Sequence, residues 1–247
     1  SVISDDRLGY FARENGNGCV IGDIHELRLI AEKKYIDNII SKYKNAQPQP
    51  KILSFQFNKQ TELNEENFKW LAEQCKQTKI VAVGEIGLDY YWEEPEHEIQ
   101  KIWFERQLEL AREVKKPVII HSREAAKDTY DIMCAHKASE LGGVIHCYSY
   151  SAEMALDFVK MGFSIGIGGV VTFKNGKKMK EVVEAVPIEK ILIETDSPYL
   201  APEPNRGKRN SSLNLSYIAR QIAAIKDMSY EEVVAITNRN ARELFHI

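Results

Sequence analysis

The sequence has no C-x-x-C pair. Its four cysteines, Cys19, Cys75, Cys134 and Cys147, are scattered, a spacing that suggests neither a zinc ribbon nor a disulfide framework and points to a reducing, cytoplasmic setting. Nowhere is there the ~18–20-residue apolar run of a membrane span, and no apolar leader segment opens the chain. No membrane partner is therefore expected. Excess charge is missing too: 33 basic and 36 acidic side chains leave a net charge of −3. A protein that is basic all over is excluded, and any nucleic-acid partner would have to meet positive charge gathered in a cleft. No internal repeat or low-complexity tract marks a second domain. The 247 residues are close to the ~250 of a single (β/α)8 barrel.

What the sequence does have is four β-branched runs that each end on a residue able to bind a metal ion. Lys79-Ile80-Val81-Ala82-Val83-Gly84 runs into Glu85, and Lys116-Pro117-Val118-Ile119-Ile120 into His121. Gly143-Val144-Ile145 runs into His146, and Lys190-Ile191-Leu192-Ile193-Glu194-Thr195 into Asp196. A lone histidine after a strand is more often a hydrogen-bonded rim residue than a ligand. Four ligand-type endings, each followed by a loop and a helical pattern, instead describe a TIM-like (β/α)8 barrel, in which strand ends converge on one rim.

The expected strands are 80–85, 117–121, 143–146, 163–168 and 190–195. The expected helices are 96–115, 123–139, 151–161, 175–185, 211–226 and 229–244, with loops at 86–95 and 197–210. Ile99, Trp103, Leu108 and Ala111 should form the apolar stripe of the first long helix, with Trp70, Trp103 and Phe104 in the core. Ahead of residue 79 the pattern is weaker: helix 5–14, strand 18–22, helix 26–44, a Gln47–Pro50 linker, strand 51–56 and helix 64–76. That gives seven strands, so the first strand of the barrel is short or degenerate, with only Ser1–Ser4 available for it.

A divalent ion needs imidazole nitrogen and carboxylate oxygen converging from different segments. Glu85, His121, His146 and Asp196 supply two of each. A magnesium, manganese or zinc ion held there would make the chain a metal-dependent hydrolase, with Asp196 orienting and deprotonating the attacking water. Asn205-Arg206-Gly207-Lys208-Arg209-Asn210 places three cations just beyond the last of these strands. They either contact substrate phosphates or form a solvated or salt-bridged turn. Arg123 is likewise a phosphate contact or a partner for a carboxylate such as Glu124. Tyr90, Tyr91, Trp92, Tyr148 and Tyr150 stand where rings could stack on unpaired bases or simply pack. Asp89 is a candidate hydrogen-bond partner for a ligating histidine. Strand alternation points the Cys147 side chain away from the site.

Val83-Gly84-Glu85-Ile86-Gly87-Leu88-Asp89-Tyr90, Pro117-Val118-Ile119-Ile120-His121-Ser122-Arg123, Val144-Ile145-His146-Cys147-Tyr148-Ser149 and Ile193-Glu194-Thr195-Asp196-Ser197-Pro198-Tyr199-Leu200 resemble, in order, the signature stretches of the TatD family. Gly168-Gly169, Thr172–Asn175 and Ala201–Asn210 do so too, and the resemblance runs from about Lys79 to Phe245. It implies a metal-dependent deoxyribonuclease, often acting from the 3′ end on single-stranded DNA. Glu85, His121, His146 and Asp196 would be metal ligands, with Asp196 also the base. The family's opening D-x-H-x-H signature has no full counterpart here; Asp23-Ile24-His25-Glu26-Leu27 is a partial echo, in which His25 is a ligand or a solvated loop residue. The family's G-x-H-P stretch is replaced by Ser54-Phe55-Gln56-Phe57-Asn58. Of one or two ions per chain, the expectation is one well-held ion and a weak or absent second. An amide or lactone hydrolase on the same barrel, or a non-catalytic nucleic-acid-binding relative, remains an alternative.

Overall fold

The computed structural model describes residues 64–93 and 95–247. The elements expected before residue 63, together with Cys19, His25 and Ser54–Asn58, lie outside them. Within them, five strands form one parallel sheet: β1 (Val83–Asp89), β2 (Val118–Arg123), β3 (Gly143–Ile145), β4 (Ser164–Ile167) and β5 (Ile191–Ile193). Their spatial order equals their chain order, β1-β2-β3-β4-β5. Helix α1 (Glu65–Cys75) precedes β1. Helices α2 (His97–Val114), α3 (Ala126–Ala135), α4 (Ala152–Lys160) and α5 (Lys177–Ala185) connect successive strands, and α6 (Leu215–Lys226) and α7 (Tyr230–Phe245) close the chain. Sequential parallel pairing through helical crossovers is the arrangement of a TIM-type barrel.

The strands are continuous apolar runs because both their faces are covered. Val118, Ile120, Ile145, Ile165 and Ile191 share a core with Phe104, Leu108 and Phe158 of the helical layer and with Phe163, just ahead of β4. Ile119, Val144 and Leu192 gather on the other side with Ala82 and Phe245, the last residue of α7. Burying each of these aliphatic side chains contributes about 1.5–3 kcal/mol. Lys116, just ahead of β2, ties the end of α1 to the segment leading into β1 by donating from Nζ to the carbonyls of Cys75, Gln77 and Ile80.

Several expected boundaries shift. β1 begins at Val83 and runs through Asp89, into the stretch expected as a loop, since Gly87, Leu88 and Asp89 continue to pair with His121, Ser122 and Arg123. The helix expected at 123–139 ends at Ala135; Lys137 takes a left-handed φ of 49°, and a short 3-10 turn spans Ala138–Glu140. β5 stops at Ile193, two residues short of the expected end. On α2 the buried face includes Gln100, Phe104, Gln107, Leu108 and Ala111, while Ile99 and Trp103 are only half-buried. Trp70 and Phe104 are in the core, as expected. The polar Gln100 is buried because it grips β1: its Oε1 accepts from the Asp89 N–H at 2.8 Å, and its Nε2 donates to the carbonyls of Asp89 and Pro95 at 3.1 and 2.8 Å.

Candidate metal centre

The β1–β2 register places Glu85. Gly84 pairs with Ile119 and Ile86 with Ile120, so Glu85 is the extra residue of a bulge. A bulge of this kind re-aims a side chain, and the Glu85 carboxylate is fully buried. Beyond it, Gly87 has a φ of 141°, and a Cβ there would stand 1.9 Å from the His121 carbonyl oxygen. Only glycine lets β1 lie this close to β2.

The four predicted ligands are neighbours in pairs. Glu85 Oε2 is 4.0 Å from His121 Nδ1 and 3.7 Å from His146 Nε2, and Asp196 Oδ1 is 3.4 Å from the same His146 nitrogen. Donors sharing one ion at ~2.1 Å stand roughly 3–3.5 Å apart; the His146–Asp196 pair is at that spacing and the two Glu85 pairs are wider. His146 Nε2 is buried and makes no hydrogen bond. A buried, unbonded ring nitrogen facing carboxylates has the chemistry of a metal ligand, and the residues present fit a divalent ion.

Each histidine is held from behind. His146 lies one residue past β3, and its Nδ1 is 2.6 Å from Glu194 Oε2, while the other oxygen of Glu194 accepts the Cys147 N–H. His121, on β2, sets Nε2 3.1 Å from Asp89 Oδ2, the second-sphere contact expected of Asp89. Such carboxylate–histidine pairs fix the ring's tautomer and orientation. Burial alone would depress the His146 pKa. The charges of Glu194 and Glu85, the Asp196 carboxylate beside Nε2 and the Glu194 hydrogen bond at Nδ1 outweigh it, and hold the imidazole well above its usual value. Burial alone would raise the Asp89 carboxyl, but the His121 hydrogen bond and the charges of His121 and Arg123 bring it below its usual value.

Asp196 stands beyond β5 with a left-handed φ of 54°, a conformation that costs less for aspartate than for most residues. Asn210 holds this segment. Its Nδ2 donates to the Thr195 and Tyr199 carbonyls at 2.6 and 2.7 Å, and its backbone N–H reaches Pro198 O at 2.9 Å. Its Oδ1 accepts from Ser211 N at 2.9 Å and Asn214 Nδ2 at 2.7 Å, so a buried amide is fully satisfied.

The predicted substrate cations fall in two places. Arg123 ends β2, its guanidinium 3.7 Å above the Tyr91 ring and its charge acting on Asp89. Arg206, Lys208 and Arg209 are exposed on the loop that Asn210 anchors. Arg206 also lies 4.2 Å over the Phe173 ring and 3.9 Å from Glu203, so it helps tie the loop to the segment after β4. One expectation is corrected. The Cys147 thiol does not simply point away: with a φ of 44° it leaves strand geometry, and its Sγ lies within 4.8 Å of donor atoms of His146 and Glu194. Both oxygens of Glu194 and Nδ1 of His146 already serve each other and the Cys147 N–H, so this trio braces the ring from behind.

Four contributors carry no metal-ligand signature in the sequence. Glu194 is the most readable, being a charge inside an apolar run that must find a partner if buried. Gly166 makes room for it: a Cβ there would stand 2.8–3.0 Å from the Glu194 carboxylate. Asn210 and Gln100 act through backbone carbonyls and amides that no spacing announces.

A family model described as "TatD related DNase" matches residues 41–246. The uncharacterized metal-dependent hydrolase YabD of Bacillus subtilis (strain 168) is 47% identical over 186 residues, covering 75% of this chain and 73% of that protein. The uncharacterized metal-dependent hydrolase YcfH of Escherichia coli (strain K12) is 41% identical, over 68% of this chain and 63% of its own length. The 3′-5′ ssDNA/RNA exonuclease TatD of Pantoea vagans (strain C9-1) is 34% identical, over 70% and 68%. Among solved structures, the TatD homolog YJJV from Escherichia coli k12 superposes with a TM-score of 0.79 at 26% identity, covering 87% of this chain and 83% of that one. With its fold and ligand-type residues arranged as above, the chain belongs to the TatD-related DNase family of metal-dependent hydrolases.

Proposed function

We propose that the chain hydrolyses phosphodiester bonds of DNA, releasing nucleotides from single-stranded 3′ ends. Glu85, His121, His146 and Asp196 would hold one divalent ion, magnesium, manganese or zinc, and a second ion would bind weakly or not at all. The observation that carries this is the buried, unbonded Nε2 of His146, with Asp196 Oδ1 at 3.4 Å and Glu85 Oε2 at 3.7 Å. The exonuclease named from Pantoea vagans, alike over two thirds of this chain, supports the substrate class.

When bound, the ion supplies Lewis acidity towards a phosphoryl oxygen and lowers the pKa of water. The protein's own part is orientation and charge. Asp196, fixed by the Asn210 clamp, accepts the proton of the attacking water at a carboxylate oxygen. His121 and His146 keep their ring geometry through Asp89 and Glu194. Arg123, Arg206, Lys208 and Arg209 offer cations to substrate phosphates, as bidentate guanidinium or as point charge. The net charge of −3 makes this local placement necessary, since the surface as a whole does not attract DNA.

The test is nucleotide release from 3′-labelled single-stranded DNA with manganese or magnesium, with a chelator, and with Asp196→Asn. Metal-dependent release that Asp196→Asn abolishes, in a variant that melts like the parent, is the expected result. Release that persists in the chelator, or near-parental turnover by Asp196→Asn, would overturn it.

A further inference from the structure

The aromatic residues beyond β1 and β3 divide into two kinds. Tyr90 donates its hydroxyl to Asp128 at 2.7 Å and stacks on His97, ring centroids 3.8 Å apart. Tyr148 is buried and donates to Ser151 O at 2.6 Å; Tyr150 places its hydroxyl 2.9 Å from Ser122 Oγ and accepts from Ala125 N. These three are spoken for by the fold. Tyr91 and Trp92 reach the surface. They are 51% and 44% exposed, their rings meet edge to face at 4.9 Å, and the Arg123 guanidinium lies 3.7 Å over the Tyr91 ring.

Their position in the fold is as informative as their exposure. Asp89 pairs with Arg123 and Gly87 with His121 in the β1–β2 register. Arg123 therefore follows His121 on the same strand face, roughly 6.6 Å further along at ~3.3 Å per residue. Tyr91 follows Asp89 by two residues, and its N–H donates to Asp89 Oδ1 at 3.2 Å. The exposed aromatic pair is thus tethered to the carboxylate that braces His121. Water-exposed aromatic rings beside an arginine, anchored next to the carboxylate that holds a ligand-type histidine, suit a ligand surface.

We propose that Tyr91 and Trp92 form a stacking platform for one unpaired nucleobase adjoining the phosphate to be cut, with Arg123 contacting that nucleotide's backbone. The assignment rests on the nuclease reading above. Every base has a π face, so such a platform recognises single strands without sequence preference. Two rings set edge to face give the base a face to lie on and an edge to bound it, and duplex DNA, with its bases stacked on each other, cannot use them.

Two readouts separate this proposal from the nuclease reading. The first is binding of a fluorescein-labelled oligothymidylate, and of copies with one abasic nucleotide at each of the last positions, followed by anisotropy in the presence of a chelator. The second is 3′-end release from the same strands with manganese. Loss of the base at one position should weaken binding to the parent protein roughly 5- to 150-fold, the range for one stacked base. In Trp92→Ala and Tyr91→Ala the same base removal should then matter less than about twofold, while Trp92→Phe keeps the preference. Binding with this base dependence but without cleavage would defeat the nuclease reading and leave the platform standing. Cleavage whose base preference is equal in the parent and in both alanine variants would overturn the platform alone. Indifference of the parent protein to every abasic position, or failure to bind the strand, would overturn it as well.

Discussion

Glu194→Gln is the substitution that most sharply tests how His146 is held. The Glu194 carboxylate accepts on both sides, from the His146 ring at Nδ1 (2.6 Å) and from the Cys147 backbone N–H. A glutamine of the same shape has one accepting and one donating end. If its oxygen faces Cys147, its amide donates to Nδ1, the ring proton moves to Nε2, and the nitrogen facing Glu85 and Asp196 can no longer bind a metal ion. If its oxygen faces Nδ1, the amide meets the Cys147 N–H donor to donor in a buried place. That leaves an unsatisfied group costing about 1–3 kcal/mol. Either orientation weakens the site, and partners of this kind are typically worth about 10–100-fold in metal affinity. Titration of manganese into the metal-free protein, by calorimetry or competition with a chromophoric chelator, should show a loss in that range. The variant's melting temperature should fall by only a few degrees. Affinity within about twofold of the parent, in a folded variant, would refute the role given to Glu194.

Three further outcomes are expected. Gly166→Ala should imitate Glu194→Gln, because its Cβ would crowd a carboxylate 2.8–3.0 Å away; metal affinity should fall, with about 1–3 kcal/mol lost in chemical denaturation from overpacking. Asn210→Ala removes the donor to two carbonyls of the 195–199 segment and should cost about 2 kcal/mol on the same denaturation curve. Its turnover should fall further than its stability explains, since Asp196 loses its clamp. Burial pushes the Cys75 thiol up to about 11, so at pH 8 it is almost wholly protonated; alkylation followed by mass spectrometry should modify the exposed Cys134 well before Cys75.

The parts of this protein legible in the sequence are those set by apolar runs and their endings. Val118-Ile119-Ile120 ends in His121 and Gly143-Val144-Ile145 ends in His146, and the structure brings both histidines to Glu85, and His146 also to Asp196, across a parallel sheet. What escaped the pattern has a physical cause in each case. β1 outlasts its expected end because pairing with β2, not side-chain periodicity, decides where a strand stops. The α2 stripe is shifted because Gln100 is buried by hydrogen bonds to Asp89 and Pro95, and a period counts only apolar residues. Glu194, Gly166 and Asn210 serve the site through contacts between segments distant in the chain, which no local spacing encodes. The cationic loop is legible as charge but not as architecture: Arg206 is both exposed and stacked on Phe173.

The most direct test of the central claim is the anomalous-scattering map of crystals soaked in manganese. A single strong peak among His146 Nε2, Glu85 Oε2, Asp196 Oδ1 and the His121 ring, at about 2.1–2.3 Å from its ligands, is the predicted result. A peak between Glu194 and Cys147 instead, or no peak at saturating manganese, would contradict it.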